Sequence, residues 1–177
     1  PHMPYKGLIM SILISPMIVP LIITAAGMFF FYARINLVYT FTGVILAHVA
    51  LATPFVVITV TATLVGFDMN MVKAAQSLGA KPIRTFFKVI MPLILPGIIS
   101  GALFAFITSF DEVVIVMFMA SLDQLTIPKQ MWAGIRQEIS PVILCMATCL
   151  VVLSIVLLTT VELLRRRSEK LRGISQR

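Results

Sequence analysis

Four apolar stretches, each long enough to cross a lipid bilayer, constrain this chain more than any other feature: Leu8 to Ala33, Leu37 to Phe67, Leu93 to about Phe118, and Pro141 to Val161. A bilayer core is about 30 Å thick and takes about 20 consecutive apolar residues as a helix. Inside it each backbone N–H and C=O must find a partner without water, which helices achieve within one segment. The predicted fold class is therefore all-α, a polytopic membrane helical bundle with four transmembrane helices. With 59% hydrophobic residues, 12% charged and a mean hydropathy of +1.04, the chain has more apolar surface than one soluble core hides.

The net charge of +7 raises nucleic acid as a partner, and the distribution of the charges argues against it. Lys6, then Lys73, Lys81, Arg84 and Lys88, then Arg165, Arg166, Arg167, Lys170, Arg172 and Arg177 fall in alternate connections, leaving Arg34, Lys129 and Arg136 on the other side. That asymmetry predicts both ends of the chain and the 66–92 loop in the cytoplasm. The expected surroundings are membrane lipid, with no soluble domain to present the basic residues to nucleic acid. Cys145 and Cys149 lie one helical turn apart within the last apolar stretch, where packing is the expected role. The first stretch has no basic leader and no small-residue cleavage site, so it does not read as a signal peptide. Pro1 is not an initiator, and the chain is expected to be part of a longer one.

Along the chain, Pro16 and Pro20 predict a bent first span. Arg34 and Asn36 mark a short outer turn, and the second span then runs without a formal charge, interrupted by His48 and Pro54. A lone neutral His on a bundle face reads first as a packing residue. Gly97, Gly101 and Ala105 recur every four residues and strip one face of the third span of bulk. Such a face lets a second backbone approach, either within this subunit or in a second one. The connection ASLDQLTIPKQMWAGIRQEIS mixes Trp132, Ile127 and Ile135 with charges, as an amphipathic segment at the outer interface does, with Trp132 at headgroup level. Residues 162–177 form a basic stop-transfer cluster and a solvated cytoplasmic tail.

The loop GFDMNMVKAAQSLGAKPIRTFFKVIMPLILPG carries its own helical punctuation. Asp68 or Asn70 can cap a short helix running through Lys73 to Leu78, Gly79 suits the left-handed position that ends it, and Pro82 suits the first position of the next. Ala74, Ala75 and Gly79 leave little side-chain bulk, so the helix can lie close against a partner.

These residues resemble the conserved cytoplasmic loop of permease subunits of binding-protein-dependent ABC importers. The family pattern is Glu-Ala-Ala, three residues, Gly, nine residues, Ile-x-Leu-Pro. Here it reads Lys73-Ala74-Ala75, three residues, Gly79, nine residues from Ala80 to Lys88, then Val89-Ile90-Met91-Pro92. Lys73 replaces the usual Glu, and near a helix N-terminus a Lys opposes the macrodipole that a Glu favours. SGALFAFITSFDEVVI, LTIPKQMW and SPVILCMATCLVVLS further resemble the polyamine (spermidine/putrescine) branch, so the likeness covers nearly the whole chain. The resemblance implies a type I importer fold, usually of six spans, with two further spans before those seen here. Residues 1–177 are then one transmembrane permease domain of a bacterial inner membrane. Its partners are cytoplasmic ABC ATPase subunits, a second permease subunit, and a periplasmic or extracellular solute-binding protein. Lys73, Ala74, Ala75, Gly79, Ala80 and Pro92 would form the ATPase-coupling loop. No GxxxxGK[ST] phosphate loop occurs among the nine glycines, so ATP hydrolysis is expected on a separate subunit, with no catalytic residue, cofactor or metal in this chain.

Asp111 and Glu112 fall toward the outer half of the third span, where carboxylates are costly unless wetted or paired. They read either as a cation-attracting part of a translocation path or as structural groups at the outer interface, with Arg136 as a partner. The expected solute is a small cationic amine. Importers of iron, sulfate or an opine would share the loop. An ion- or proton-coupled secondary transporter is disfavoured, because those proteins place charges near the midplane and use paired repeats of broken helices, and no repeat is evident here.

Overall fold

A computed structural model describes residues 4–137 and 141–171. Among them the secondary structure is helical throughout: α1 (Lys6–Ile18), α2 (Leu21–Arg34), α3 (Phe41–Val65), α4 (Met69–Ser77), α5 (Pro82–Thr85), a π-helical turn (Phe86–Ile90), α6 (Met91–Phe110), α7 (Val114–Met119), α8 (Ile127–Gln137) and α9 (Pro141–Leu171). Three segments are long and apolar enough to cross a membrane, Phe41–Val65, Pro82–Phe110 and Pro141–Thr160, and a fourth if α1 and α2 count as one broken span.

The first apolar stretch is more than bent. The axes of α1 and α2 meet at 109°, and each helix of 13 or 14 residues is about 20 Å long, short of a bilayer core. Pro16 is absorbed inside α1, whereas Val19, directly before Pro20, is extended at φ −74°, ψ 136°. A residue before proline is pushed out of the α region by the proline ring, which ends α1 there.

The central pair is α3 against α6. A Cβ added at Gly97 would overlap Thr63 Oγ1 and come within 3.2 Å of the Thr59 carbonyl, and one added at Gly101 would lie 2.5 Å from Thr59 Oγ1 and 3.0 Å from Val56 Cα. The small face of α6 therefore packs within this subunit at Gly97 and Gly101, while Ala105, one turn on, is half-buried. The facing threonines donate back to their own helix, Thr63 to the Thr59 carbonyl at 2.9 Å and Thr59 to that of Phe55 at 2.8 Å, which leaves no unpaired hydroxyl in the contact. Phe55 and Phe104 stack alongside with centroids 6.4 Å apart.

The third apolar run does not continue as one helix to Phe118. It stops at Phe110, and after Asp111–Val113 the short α7 packs against α2 and α3. There Ile115 and Met119 join Ala25, Ala47 and Leu51 in a buried apolar cluster. The Met119 carbonyl accepts from the Tyr39 N–H at 2.9 Å, and Gln124 Nε2 donates to the Tyr39 carbonyl at 3.2 Å. These bonds tie the α2–α3 turn to the loop after α7.

At the other end of the chain, α9 runs past Glu162 to Leu171, so the basic cluster begins as helix; residues 172–177 lie outside the described residues. Glu162 and Arg166 pair one turn apart at 2.8 Å.

Candidate functional site: an exposed loop helix and a polar cleft

The segment between α3 and α6 is built from local signals. Asp68 caps α4, its carboxylate accepting from the Asn70 N–H at 2.9 Å. Beyond Leu78 the chain turns through Gly79 at φ 77°, with the Gly79 N–H bonded to the Gln76 carbonyl and the Ala80 N–H to that of Ala75. These close the last turn of the helix as a left-handed glycine does. Pro82 opens α5, where its missing N–H costs nothing. The second short helix of the loop is not separate: α5 passes through the π turn into α6, and 82–110 forms one continuous apolar span. The widened turn includes Lys88, four residues before Pro92. An ordinary α turn would press the Pro92 ring against that carbonyl, and widening the helix there relieves the clash.

Of the residues proposed from the sequence for this loop, Lys73, Ala74 and Gly79 are exposed, and Ala75, Ala80 and Pro92 are partly covered. Lys73 is the fifth residue of the nine in α4, far enough from the N-terminus that the macrodipole hardly acts on it. Met69, Met71, Leu78, Ile83 and Phe87 expose apolar surface beside the cations Lys73, Lys81, Arg84 and Lys88. This end of the molecule is thus a basic, apolar-studded knob that none of the other described residues covers.

At the far end of α6 the two acidic residues part. Asp111 is exposed and lines a cleft of about 730 Å³ between α6, α8 and α9, otherwise almost wholly apolar. Glu112 is 6% exposed and lines a second cleft, of about 540 Å³, formed by α3, α6, the start of α8 and Leu150 of α9. Its Oε1 accepts from the Ile115 N–H at 2.8 Å and so caps α7. No ion pair joins Asp111 to Arg136 among the described residues. The Arg136 guanidinium instead lies over the Trp132 ring, 5.8 Å from its centroid.

Two polar residues of the second cleft stand apart from the sequence reading, which took His48 for a packing residue and did not single out Ser109. His48 Nδ1 lies 2.8 Å from Ser109 Oγ, joining α3 to α6, while His48 Nε2 is buried with no hydrogen-bond partner among the described residues. Packing thus accounts for only one of the two ring nitrogens. The one signal in the sequence was a histidine in a span with no other formal charge, and its partner lies 61 residues away. No group of three or more His, Cys, Asp or Glu side chains that could hold a metal ion occurs among the described residues.

Comparison with known proteins gives these features a context. The family described as binding-protein-dependent transport system inner membrane component matches residues 2–170. The spermidine/putrescine transport system permease protein PotC of Haemophilus influenzae is 30% identical over 163 residues, covering 92% of this chain and 63% of the relative. PotC of Escherichia coli K12 is 30% identical over 165 residues, covering 93% and 62%. The putrescine transport system permease protein PotI of the same strain is 37% identical over 103 residues, 58% of this chain and 37% of the relative. The chain therefore spans less than two thirds of the length of these relatives.

Proposed function

Because the chain belongs to the binding-protein-dependent transport system inner membrane components, we propose that it is a permease subunit of an ABC importer for a polyamine-like cationic amine. It lines the solute path together with a second permease subunit and couples that path to a separate ATPase. The observation that carries the reading is the short capped helix α4, exposed at the end of the α3–α6 pair and followed, after the turn at Gly79, by the continuous helical segment from Pro82 to Phe110. The packing of α4 against α5 and the π turn passes a displacement of α4 on to the span that carries Asp111 and Glu112 at its far end. Residues 66–92 are the coupling loop, on the cytoplasmic side with both ends of the chain. The amine part of the reading draws on the names of the relatives and on the two carboxylates, which favour a cation.

The test is uptake by the full-length protein with its partner permease, ATPase and binding protein. ATP-dependent accumulation of putrescine is expected. Gly79→Val should retain membrane insertion but lose uptake and ATPase co-purification. A Cβ at Gly79 meets nothing within 4 Å, so the cost is confined to the left-handed backbone, about 1–2 kcal/mol for a non-glycine residue. Normal uptake and normal ATPase binding by Gly79→Val would remove α4 as the coupling element.

A further inference from the structure

Burial along the helix that leads out of the loop follows an α-helical stripe as far as the π turn and then changes step. Gly101, Gly97 and Ile94 are buried and Ile90 is partly buried, at steps of four, three and four residues. An unbroken α-helix would carry this stripe on to Phe87 or Phe86, three or four residues before Ile90. Both are exposed, at 61% and 42%, and the next buried residue is Thr85, 2% exposed and five residues before Ile90. The step of five is the π turn itself, in which the Met91 N–H bonds to the Phe86 carbonyl five residues back. One residue more than an α turn holds rotates everything before it by about 100° relative to α6. That rotation puts Thr85 under cover, its hydroxyl donating to the Lys81 carbonyl at 3.2 Å, in the segment against which α4 packs. It leaves Phe87 exposed, together with Arg84 and Lys88.

Pro54 and Pro96 lie inside α3 and α6 without a π turn, so a proline alone does not widen a helix. Pro92 differs in standing where the loop meets the span. Its ring bars the ordinary turn onto the Lys88 carbonyl, and the widened form is the one that covers Thr85 in place of a phenylalanine. Resting on the permease reading above, we infer that Pro92 is a positioning residue: it locks the π turn and so sets the angle at which the coupling loop meets its ATPase partner. With an α turn in its place, α4 and the cations of the loop turn about the axis of α6 by about 100° and move along it by about 1.5 Å, off the partner surface they fit.

The experiment uses the complete transporter with its native cysteines, Cys145 and Cys149 among them, replaced by serine. It reads labelling of single cysteines by a hydrophilic maleimide, co-purification of the ATPase, and putrescine uptake. In the parent, Thr85→Cys should be protected and Phe87→Cys labelled; adding Pro92→Ala should reverse the two. Pro92→Ala by itself should lower ATPase co-purification and uptake about tenfold, within the usual range for coupling between sites. Deleting Val89 from that variant puts Thr85 back on the stripe of an ordinary α-helix, four residues before Ile90, and should restore most of both. The same deletion with Pro92 kept should restore nothing, and a proline that merely stiffens the chain would gain nothing from the deletion in either background. An unreversed labelling pattern overturns the assignment, as does a reversed pattern with unchanged uptake, or a loss that the deletion fails to repair. If Pro92→Ala does not reach the membrane, Pro92→Ser is judged by the same criteria. A parent that carries no putrescine defeats the amine reading and leaves labelling and ATPase co-purification to decide the register.

Discussion

Gly101→Ala puts the packing of α3 on α6 to a quantitative test. The new Cβ would sit 2.5 Å from Thr59 Oγ1 and 3.0 Å from Val56 Cα. The hydroxyl can swing away only by giving up its bonds to the Phe55 and Val56 carbonyls at 2.8 and 3.1 Å, and the Val56 backbone cannot swing at all. The helices must therefore separate by a few tenths of an ångström, an overpacking that costs about 1–3 kcal/mol. Against this, alanine is favoured over glycine in a helix by about 1 kcal/mol. Gly27→Ala in α2 isolates that gain, because its Cβ meets nothing within 4 Å. In mixed-micelle unfolding of the full-length protein, Gly27→Ala should be neutral or slightly stabilising, and Gly101→Ala should fall below it by about 1–3 kcal/mol. Adding Thr59→Ala to Gly101→Ala should return part of the loss, and the residual contact with Val56 should hold back the rest. Equal stabilities for Gly101→Ala and Gly27→Ala would refute the close approach of α3 and α6.

Three further outcomes are expected. Glu112→Ala should loosen α7 by about 1 kcal/mol, the usual worth of a side-chain cap, whereas Glu112→Gln keeps an acceptor for the Ile115 N–H; amide exchange at Ile115 distinguishes the two. Single cysteines at Lys81 and Gln130 should be labelled from opposite sides of the membrane, Lys81 from the cytoplasm; the reverse pattern would overturn the orientation drawn from the charges. The purified polypeptide should show no saturable ATP binding, since it lacks a phosphate-cradling loop, and equilibrium dialysis with labelled nucleotide checks this.

The features legible in the sequence were those encoded over a few neighbouring residues. The cap at Asp68, the left-handed Gly79, Pro82 at a helix start and the amphipathic α8 each depend on backbone preferences within a turn or two, and all appear where the residues imply. The small face at Gly97 and Gly101 was equally visible, but only the docked helices show that it meets Thr59 and Thr63 of the same chain. Hydropathy could not show where a helix stops inside an apolar run, because Phe110 and Val114 are equally at home in lipid; the break between them depends on Glu112 folding forward onto the Ile115 N–H and on α7 burying Ile115 and Met119 beside Ala25 and Ala47. Nor could it separate Asp111 from Glu112, adjacent residues that line different clefts. The His48–Ser109 contact was hidden for the same reason: it joins positions 61 residues apart, and no local preference of either residue encodes a distance that exists only once α3 and α6 have packed.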